Sequence, residues 1–370
     1  MDKYNVIIIG IGLSGCVMAE RFANYKKEYK ILMIDKRDHI GGNCFDYYDK
    51  ETNILINKYG AHIFHTNNER VWEYINLYSK WERYDHQVKC IVENKIIPIP
   101  INIITVNSLL NINIKNENEM NEWIDRNKIS YKKITNGEEM VKSRVGNLLY
   151  EKIFKEYTFK QWNKYPNELI PEVLARIPIY NDYDCRYFKD KYQVLPKKGY
   201  TYFMKKLIDY SCIDVLLNTD FNDIKGQIKN DQIIIYTGPI DLYFNNEYEK
   251  LEYRSINFEI ERYFNCNYYQ CNSVINYPEN NVQFTRIVEY KHFMNQKSPH
   301  TIIVKEYSCD EGEPFYPVLT NKNIEIYKKY QLLINNEKNV HFLGRLANYK
   351  YFNMDEAILN ALEYFDSHFS

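Results

Sequence analysis

Residues 6–43 constrain the fold of this chain more than any other stretch. Val6-Ile-Ile-Ile-Gly10 reads as a short strand, apolar on both faces as buried parallel strands are. It runs into Gly10-x-Gly12-x-x-Gly15, and the pattern predicts a helix to about Asn24. A second apolar strand, Ile31-Leu-Met-Ile34, ends in Asp35, twenty residues after Gly15. Strand, glycine turn, helix and acid in this register form a dinucleotide-binding fingerprint. Gly10 permits the tight turn, Gly12 lets backbone approach a pyrophosphate, and Gly15 lets helix and strand pack closely. The helix start, with Leu13 and Ser14, offers free N–H groups and partial positive charge to phosphates. Asp35 is placed to accept from ribose hydroxyls, with Lys36 beside it. NAD and FAD both use this fingerprint. Gly41-Gly42-Asn43, six residues past Asp35, is a second glycine turn of the kind that carries an FAD toward its flavin, so FAD is expected.

At 370 residues the chain can bury a large core and divide into two or three domains. A net charge of -1 points to no nucleic-acid partner. No apolar run is long enough to span a membrane, and Met1-Asp-Lys-Tyr-Asn5 leads straight into the first strand, leaving no room for a signal peptide. The cysteines at 16, 44, 90, 185, 212, 266, 271 and 309 contain no C-x-x-C and read as reduced thiols, so a cytoplasmic setting is expected. Cys266 and Cys271 are expected to stay unpaired. Tyrosine is so abundant, at 36 residues alongside many Lys, Asn and Ile, that only tyrosines inside a specific motif carry weight.

KYGAHIFHT (58–66) holds His62 and His65 three apart among apolar residues. A metal would need a third ligand that is not in view, so no metal is expected and these histidines read as core or cofactor lining. A helix is predicted over 68–79, then strands over 87–92 and 95–99 joined by a Glu93-Asn94 turn. Residues 101–163 are helix-patterned and polar; 162–187, with Pro166, Pro171 and Pro178, are irregular, as functional loops often are. A helix is predicted over 199–210, and strands over 213–217 and 232–236, the second returning to the dinucleotide sheet and ending at Thr237-Gly238. Residues 251–308 alternate as antiparallel strands do, and a strand over 340–343 precedes a final helix over 354–365. The expected fold class is α/β: a discontinuous Rossmann-like FAD-binding domain (1–80, 197–243, 317–370), an inserted helical-bundle domain (101–163), and an antiparallel β-sheet and substrate domain (81–100, 164–196, 244–316).

In this order, KYGAHIFHT (58–66), YTFKQW (157–162), RIP (176–178), YTGPIDLYF (236–244), LEYRS (251–255), FTRIVEYKHF (284–293), EPFYPV (313–318) and GRLANYKYFNM (344–354) resemble the bacterial type of the UDP-galactopyranose mutase family nearly end to end. The resemblance implies a non-redox reaction that interconverts UDP-galactopyranose and UDP-galactofuranose. N5 of reduced FAD attacks the anomeric carbon, UDP leaves, the sugar–flavin iminium recloses to the other ring size, and UDP returns. It further implies a homodimer, an external reductant such as NAD(P)H, and a mobile loop just after Trp162. Arg176 on that loop and Arg286 match diphosphate-binding arginines, whose planar forks suit phosphate; with His65 they make up the catalytic set. Tyr157 matches the uracil platform, with Phe154 as its neighbour. Trp162 matches a tryptophan at the loop hinge. Tyr187, Tyr316 and Tyr351 match phosphate-contacting hydroxyls. On the flavin side the resemblance places His62, Ile63, His65, Thr237, Gly238, Arg254, Arg345, Tyr351 and Met354. A positive charge or helix N-terminus at the flavin's N1–carbonyl edge would stabilise its anionic reduced state. Three positions depart from the family: His86 stands for asparagine, Asn353 for aspartate, and Asp35 for glutamate. The first two put the sugar in question, leaving UDP-N-acetylgalactosamine and dTDP-fucose as alternatives.

Two other classes fit parts of the sequence. A flavin oxidoreductase of amine-oxidase type shares the FAD domain but has no use for two phosphate-directed arginines. A sugar-nucleotide binding protein without activity is disfavoured by the retained Arg176, Arg286 and Trp162.

Overall fold

The computed structural model describes residues 1–370. Its centre is a five-stranded sheet in the order Ile213–Leu216, Ile31–Ile34, Val6–Ile9, Ile233–Tyr236, Val340–Phe342. Every pair is parallel, and Ile9 lies level with Ile34 on one side and Tyr236 on the other. Val6–Ile9 and Ile31–Ile34 are buried throughout, because helices cover both faces. On one face the fingerprint helix Leu13–Tyr25 packs against the last helix, Met354–His368, with Phe22 edge-on to Phe365 at 5.0 Å. The other face carries Phe221, Ile240, Tyr243 and a helix over Asn321–Ile334 that the sequence reading leaves unassigned. Ile326 and Tyr330 are its buried apolar side chains, and Thr320 caps its start by accepting from Asn323 N–H. Its apolar stripe is narrow and diluted by lysines, so its period is faint in the sequence.

The second sheet has seven strands, in the order Tyr316–Pro317, Tyr253–Tyr263, Thr301–Cys309, Arg286–Glu289, Val274–Asn276, Val88–Val92, Lys95–Ile99. It is antiparallel as expected except at one junction, where Val274–Asn276 runs parallel to Val88–Val92. Those two strands lie far apart in the chain, so no hairpin dictates their direction. The hairpin over 88–99 turns at Glu93 and Asn94, both left-handed at φ 51° and 59°, which matches the twist of its strands. A third, three-stranded sheet pairs Phe64–Thr66 and Trp81–Arg83 with Tyr192–Pro196. The sequence reading finds none of its strands: two are three residues long, too short to show alternation, and four of the five residues of Tyr192–Pro196 are buried.

Residues 103–162 hold the helices Ile103–Leu110, Glu117–Asn127 and Gly137–Leu149, whose starts are set by asparagines, and then a last helix. Asn102, Asn116 and Asn136 each accept from the backbone N–H three residues on, at 2.9, 3.0 and 3.0 Å. The last helix of this group opens with a wide π turn, Tyr150–Phe154, and continues as Lys155–Trp162 against the strand Thr301–Cys309. No helix is long and apolar enough to cross a membrane.

Candidate active site

The carboxyl ends of three neighbouring parallel strands meet at Gly10, Thr237 and Gly344. A β-carbon on Gly10 (φ +96°) would fall 2.1 Å from Thr237 Oγ1, and one on Gly15 2.1 Å from the Gly10 carbonyl oxygen. The turn and the helix therefore close only with glycine at both places. Thr237 Oγ1 donates to the Ile9 carbonyl at 2.8 Å, and a β-carbon on Gly344 would lie 3.1 Å from Ser14 Oγ. The second glycine turn lands on the first: a β-carbon on Gly42 would lie 2.7 Å from Gly12 Cα. Val6–Ile9 leads on to Ile31–Ile34 on one side and Ile233–Tyr236 to Val340–Phe342 on the other, so the strand order reverses here, the place where open α/β sheets bind ligands.

Asp35 accepts from Ile11 N–H at 2.8 Å and from Arg37 N–H at 3.0 Å, which fixes its carboxylate and leaves lone pairs free for a diol. Arg37 also donates to Asn43 Oδ1 at 2.9 Å. Lys36 pairs with Glu313 at 2.8 Å. Met354, the first residue of the last helix, sets its Sδ 3.7 Å from Cys44 Sγ, so that helix points its N-terminus at the Gly42 turn. His62 Nδ1 meets the Gly60 carbonyl at 2.7 Å, and the His62 carbonyl accepts from Tyr200 at 3.1 Å. Burial, aided by the charge of Arg345, pulls the His62 pKa down to about 4, so the ring is neutral. Ile63 is half-buried against the same core. Gly238 follows Thr237 at the crevice edge.

A cation–aromatic cluster forms where the irregular stretch, the seven-stranded sheet and the last helix meet. The rings of Tyr316 and Tyr351 stack at 5.2 Å and 12°. Trp162 lies 6.2 and 6.1 Å from them. The Arg176 guanidinium rests 3.8 Å from the Tyr351 ring centre, donates to the Tyr351 carbonyl at 2.9 Å and hydrogen-bonds Asn353 Oδ1. Arg345 sits 5.3 and 5.2 Å from the same two rings and donates to the Phe352 carbonyl at 2.6 Å. Arg286 feels Tyr157, Glu306, Tyr316 and Tyr351, and its Nε lies 3.4 Å from Glu306. Burial raises the pKa of Tyr157 and Tyr316 and pushes that of Tyr187 up to about 12. Their hydroxyls are therefore protonated donors beside cations, a set suited to a diphosphate.

His86 is buried and its Nδ1 has no hydrogen-bond partner. Burial first, then the charges of Arg286 and His65, pull its pKa down to about 3. Its ring lies 6.1 Å from Tyr187 and 6.0 Å from Phe188. His65 stacks on Phe188 at 3.7 Å and holds Asp190 Oδ2 at 3.1 Å.

Two residues that the resemblance points to are engaged within the protein. Phe154 is 1% exposed within the helical core, at the end of the π turn and three residues before Tyr157. Arg254 is committed to Asp310 and to the Gln161 carbonyl, the latter at 2.9 Å. Sequence reasoning misses Glu306, Phe188, Asp190 and Arg37. Arg37 was within reach, since it follows Asp35 directly; the others carry no local signal. Among groups of histidine, cysteine and carboxylate, none is arranged to hold a metal ion.

Comparison with known proteins gives a consistent picture. The UDP-galactopyranose mutase family profile matches residues 152–351, and that of a NAD(P)-binding Rossmann-like domain matches 8–77. A probable UDP-galactopyranose mutase of Klebsiella pneumoniae is 36% identical, over 100% of this chain and 96% of its own. A dTDP-fucopyranose mutase of Escherichia coli is 33% identical, over 97% and 96%. Among solved structures, that of a reduced UDP-galactopyranose mutase superposes with a TM-score of 0.77 at 16% identity, covering 98% of this chain and 95% of the other.

Proposed function

The chain belongs to the UDP-galactopyranose mutase family of isomerases, and from that premise we propose that it interconverts UDP-galactopyranose and UDP-galactofuranose on reduced FAD, with no net oxidation. The observation that carries the reading is the cluster of Arg176, Arg286 and Arg345 around the stacked Tyr316 and Tyr351, beside Trp162.

The crevice fits FAD on its own terms: glycines give the backbone clearance, Asp35 has free lone pairs, and two helix N-termini converge. Gly10, Gly12, Leu13, Ser14, Gly15, Asp35, Gly42, Asn43 and Thr237 would hold it. When bound and reduced, FAD supplies the nucleophile that displaces UDP from the anomeric carbon. Arg176 and Arg286 neutralise the charge that gathers on the departing diphosphate. Tyr187, Tyr316 and Tyr351 donate hydroxyl hydrogen bonds to the same oxygens, and Tyr157 offers its ring to the uracil. Neutral His86, its buried Nδ1 without a partner, lies beside Tyr187 at the edge of the same set. Asp190 fixes the ring of His65, and Arg345 with the N-terminus at Met354 favours negative charge in the crevice. The same reading makes the enzyme a cytoplasmic homodimer served by an external reductant such as NAD(P)H.

The test is turnover of UDP-galactofuranose by purified protein, its flavin reduced with dithionite, followed by chromatography. UDP-galactopyranose forming only with reduced flavin supports the reading. Bleaching of oxidised flavin by some other substrate, with no sugar nucleotide converted, rejects it. A second sugar is favoured by one observation: identity to the dTDP-fucopyranose mutase, 33%, is close to the 36% for the galactose enzyme, and His86 and Asn353 sit at the cluster. Ranking UDP-galactose, UDP-N-acetylgalactosamine and dTDP-fucose by kcat/KM decides between them.

A further inference from the structure

Two of the cluster's three arginines, Arg176 and Arg286, are held in different ways. Arg176 lies on the irregular stretch and touches only neutral groups, Tyr351 and Asn353. Arg286 lies on a strand and faces one carboxylate. Arg286 and Glu306 are directly opposed across neighbouring antiparallel strands, so their side chains leave the same face of the sheet. Glu306 is the one acid that pairs with Arg286, at 3.4 Å from Nε. The Glu306 side chain is 6% exposed, whereas that of Arg286 is 30% exposed. The Nε atom is itself buried and makes no hydrogen bond, so Glu306 meets it as an opposite charge, and the accessible part of the guanidinium is its far end.

Glu306 is pinned from two directions. Its carbonyl accepts from Thr285 N–H at 2.8 Å and from Thr285 Oγ1 at 3.1 Å. Gly60 closes over its carboxylate: a β-carbon there would lie 3.3 Å from Oε1, at a backbone φ of +89°. The carboxylate is thus sealed from water by the segment that carries His62 and His65, with Arg286 as the cation that balances it. Removing one member of such a pair leaves the other buried and unpaired.

We propose that Glu306 is the positioning residue of Arg286: it holds the guanidinium by its Nε edge so that the free fork faces a nucleotide diphosphate. This deepens the substrate reading above and rests on it. Arg286 is then preorganised before substrate arrives, while Arg176 is free to leave its neutral contacts. Glu306 itself touches no reacting atom.

The experiment is calorimetric titration of the FAD-loaded, oxidised protein with UDP, using wild type, Glu306→Ala, Glu306→Gln, Arg286→Ala and the double variant Glu306→Ala/Arg286→Ala. Glu306→Ala is expected to weaken UDP binding about thirtyfold, the low end of the cost of truncating one partner of a buried charge pair. Glu306→Gln keeps an oxygen at the same place without the charge and is expected to recover only part of the loss, to within roughly tenfold of wild type. In the Arg286→Ala background, Glu306→Ala is expected to add nothing, because the residue it positions is gone. A purely structural role would shift thermal stability and leave that non-additivity absent. Unchanged UDP affinity in Glu306→Ala overturns the proposal. So does a full penalty that persists without Arg286, or a Gln variant as weak as the Ala variant. If Glu306→Ala does not fold, Glu306→Asp takes its place in the cycle, with a threefold to tenfold loss expected from the withdrawn carboxylate. Wild-type protein that binds no UDP refutes the substrate reading and this inference together; normal wild-type binding with an unaffected Glu306→Ala refutes the inference alone.

Discussion

Replacing His86 by asparagine removes an acid-sensitive part of the folding free energy. His86 is 4% exposed, its Nδ1 is unpaired, and burial with the nearby charges of Arg286 and His65 sets its folded pKa at about 3 against 6.5 for a free histidine. Between pH 6.5 and about 3 the unfolded chain therefore binds more protons than the folded one. Stability rises with pH across that window, and the contribution, complete above pH 6.5, is lost as acid is added. Each pH unit below 6.5 is worth about 1.4 kcal/mol, so at pH 5 the loss is about 2 kcal/mol. Most carboxylates titrate below pH 5 when unfolded, and they are common to both proteins. The assay is urea unfolding of flavin-free wild type and His86→Asn at pH 7.5 and 5.0 at one ionic strength. Wild type should lose about 2 kcal/mol more than the variant between the two pH values. Parallel losses would mean that His86 is not held neutral, and the argument from its burial would fall.

Arg176→Lys keeps the charge but loses the planar fork, so kcat/KM should fall by roughly two to three decades with thermal stability unchanged, read by steady-state turnover. Asn353→Asp should cap the last helix equally well and leave Tm unchanged, while a carboxylate grips Arg176 more tightly and repels diphosphate; calorimetry should show UDP binding weakened about fivefold. Gly15→Val places a β-carbon 2.1 Å from the Gly10 carbonyl oxygen, so purified protein should lose its bound flavin, read from its visible absorbance.

The nucleotide-binding crevice was legible because its signals are local. Strand, turn, helix and acid follow each other within forty residues, and glycine is demanded there by the positive φ of Gly10 and the contact of Gly15 with the Gly10 carbonyl. The hairpin over 88–99 was legible for the same reason, through its Glu93-Asn94 turn. Where the local signal is weak the reading fell short. The helix Asn321–Ile334 spreads lysines and tyrosines around its girth, the strands Phe64–Thr66 and Trp81–Arg83 are too short to alternate, and Tyr192–Pro196 is buried at four of its five residues. Motif strings named Arg176, Tyr316 and Tyr351 individually, without saying that they would touch.

By itself, then, the sequence determined the dinucleotide crevice, the α/β class and which side chains carry charge or aromatic surface, since each follows from residue type and spacing along a short stretch. Only the tertiary structure decided which of them meet. Arg176 reaches Tyr351 across 175 residues, and His65 reaches Asp190 across 125. Arg286 finds Glu306 because two strands pair in one register; a slip of one residue would turn the carboxylate to the opposite face. Such pairings are set by packing among distant segments, and no local propensity encodes them.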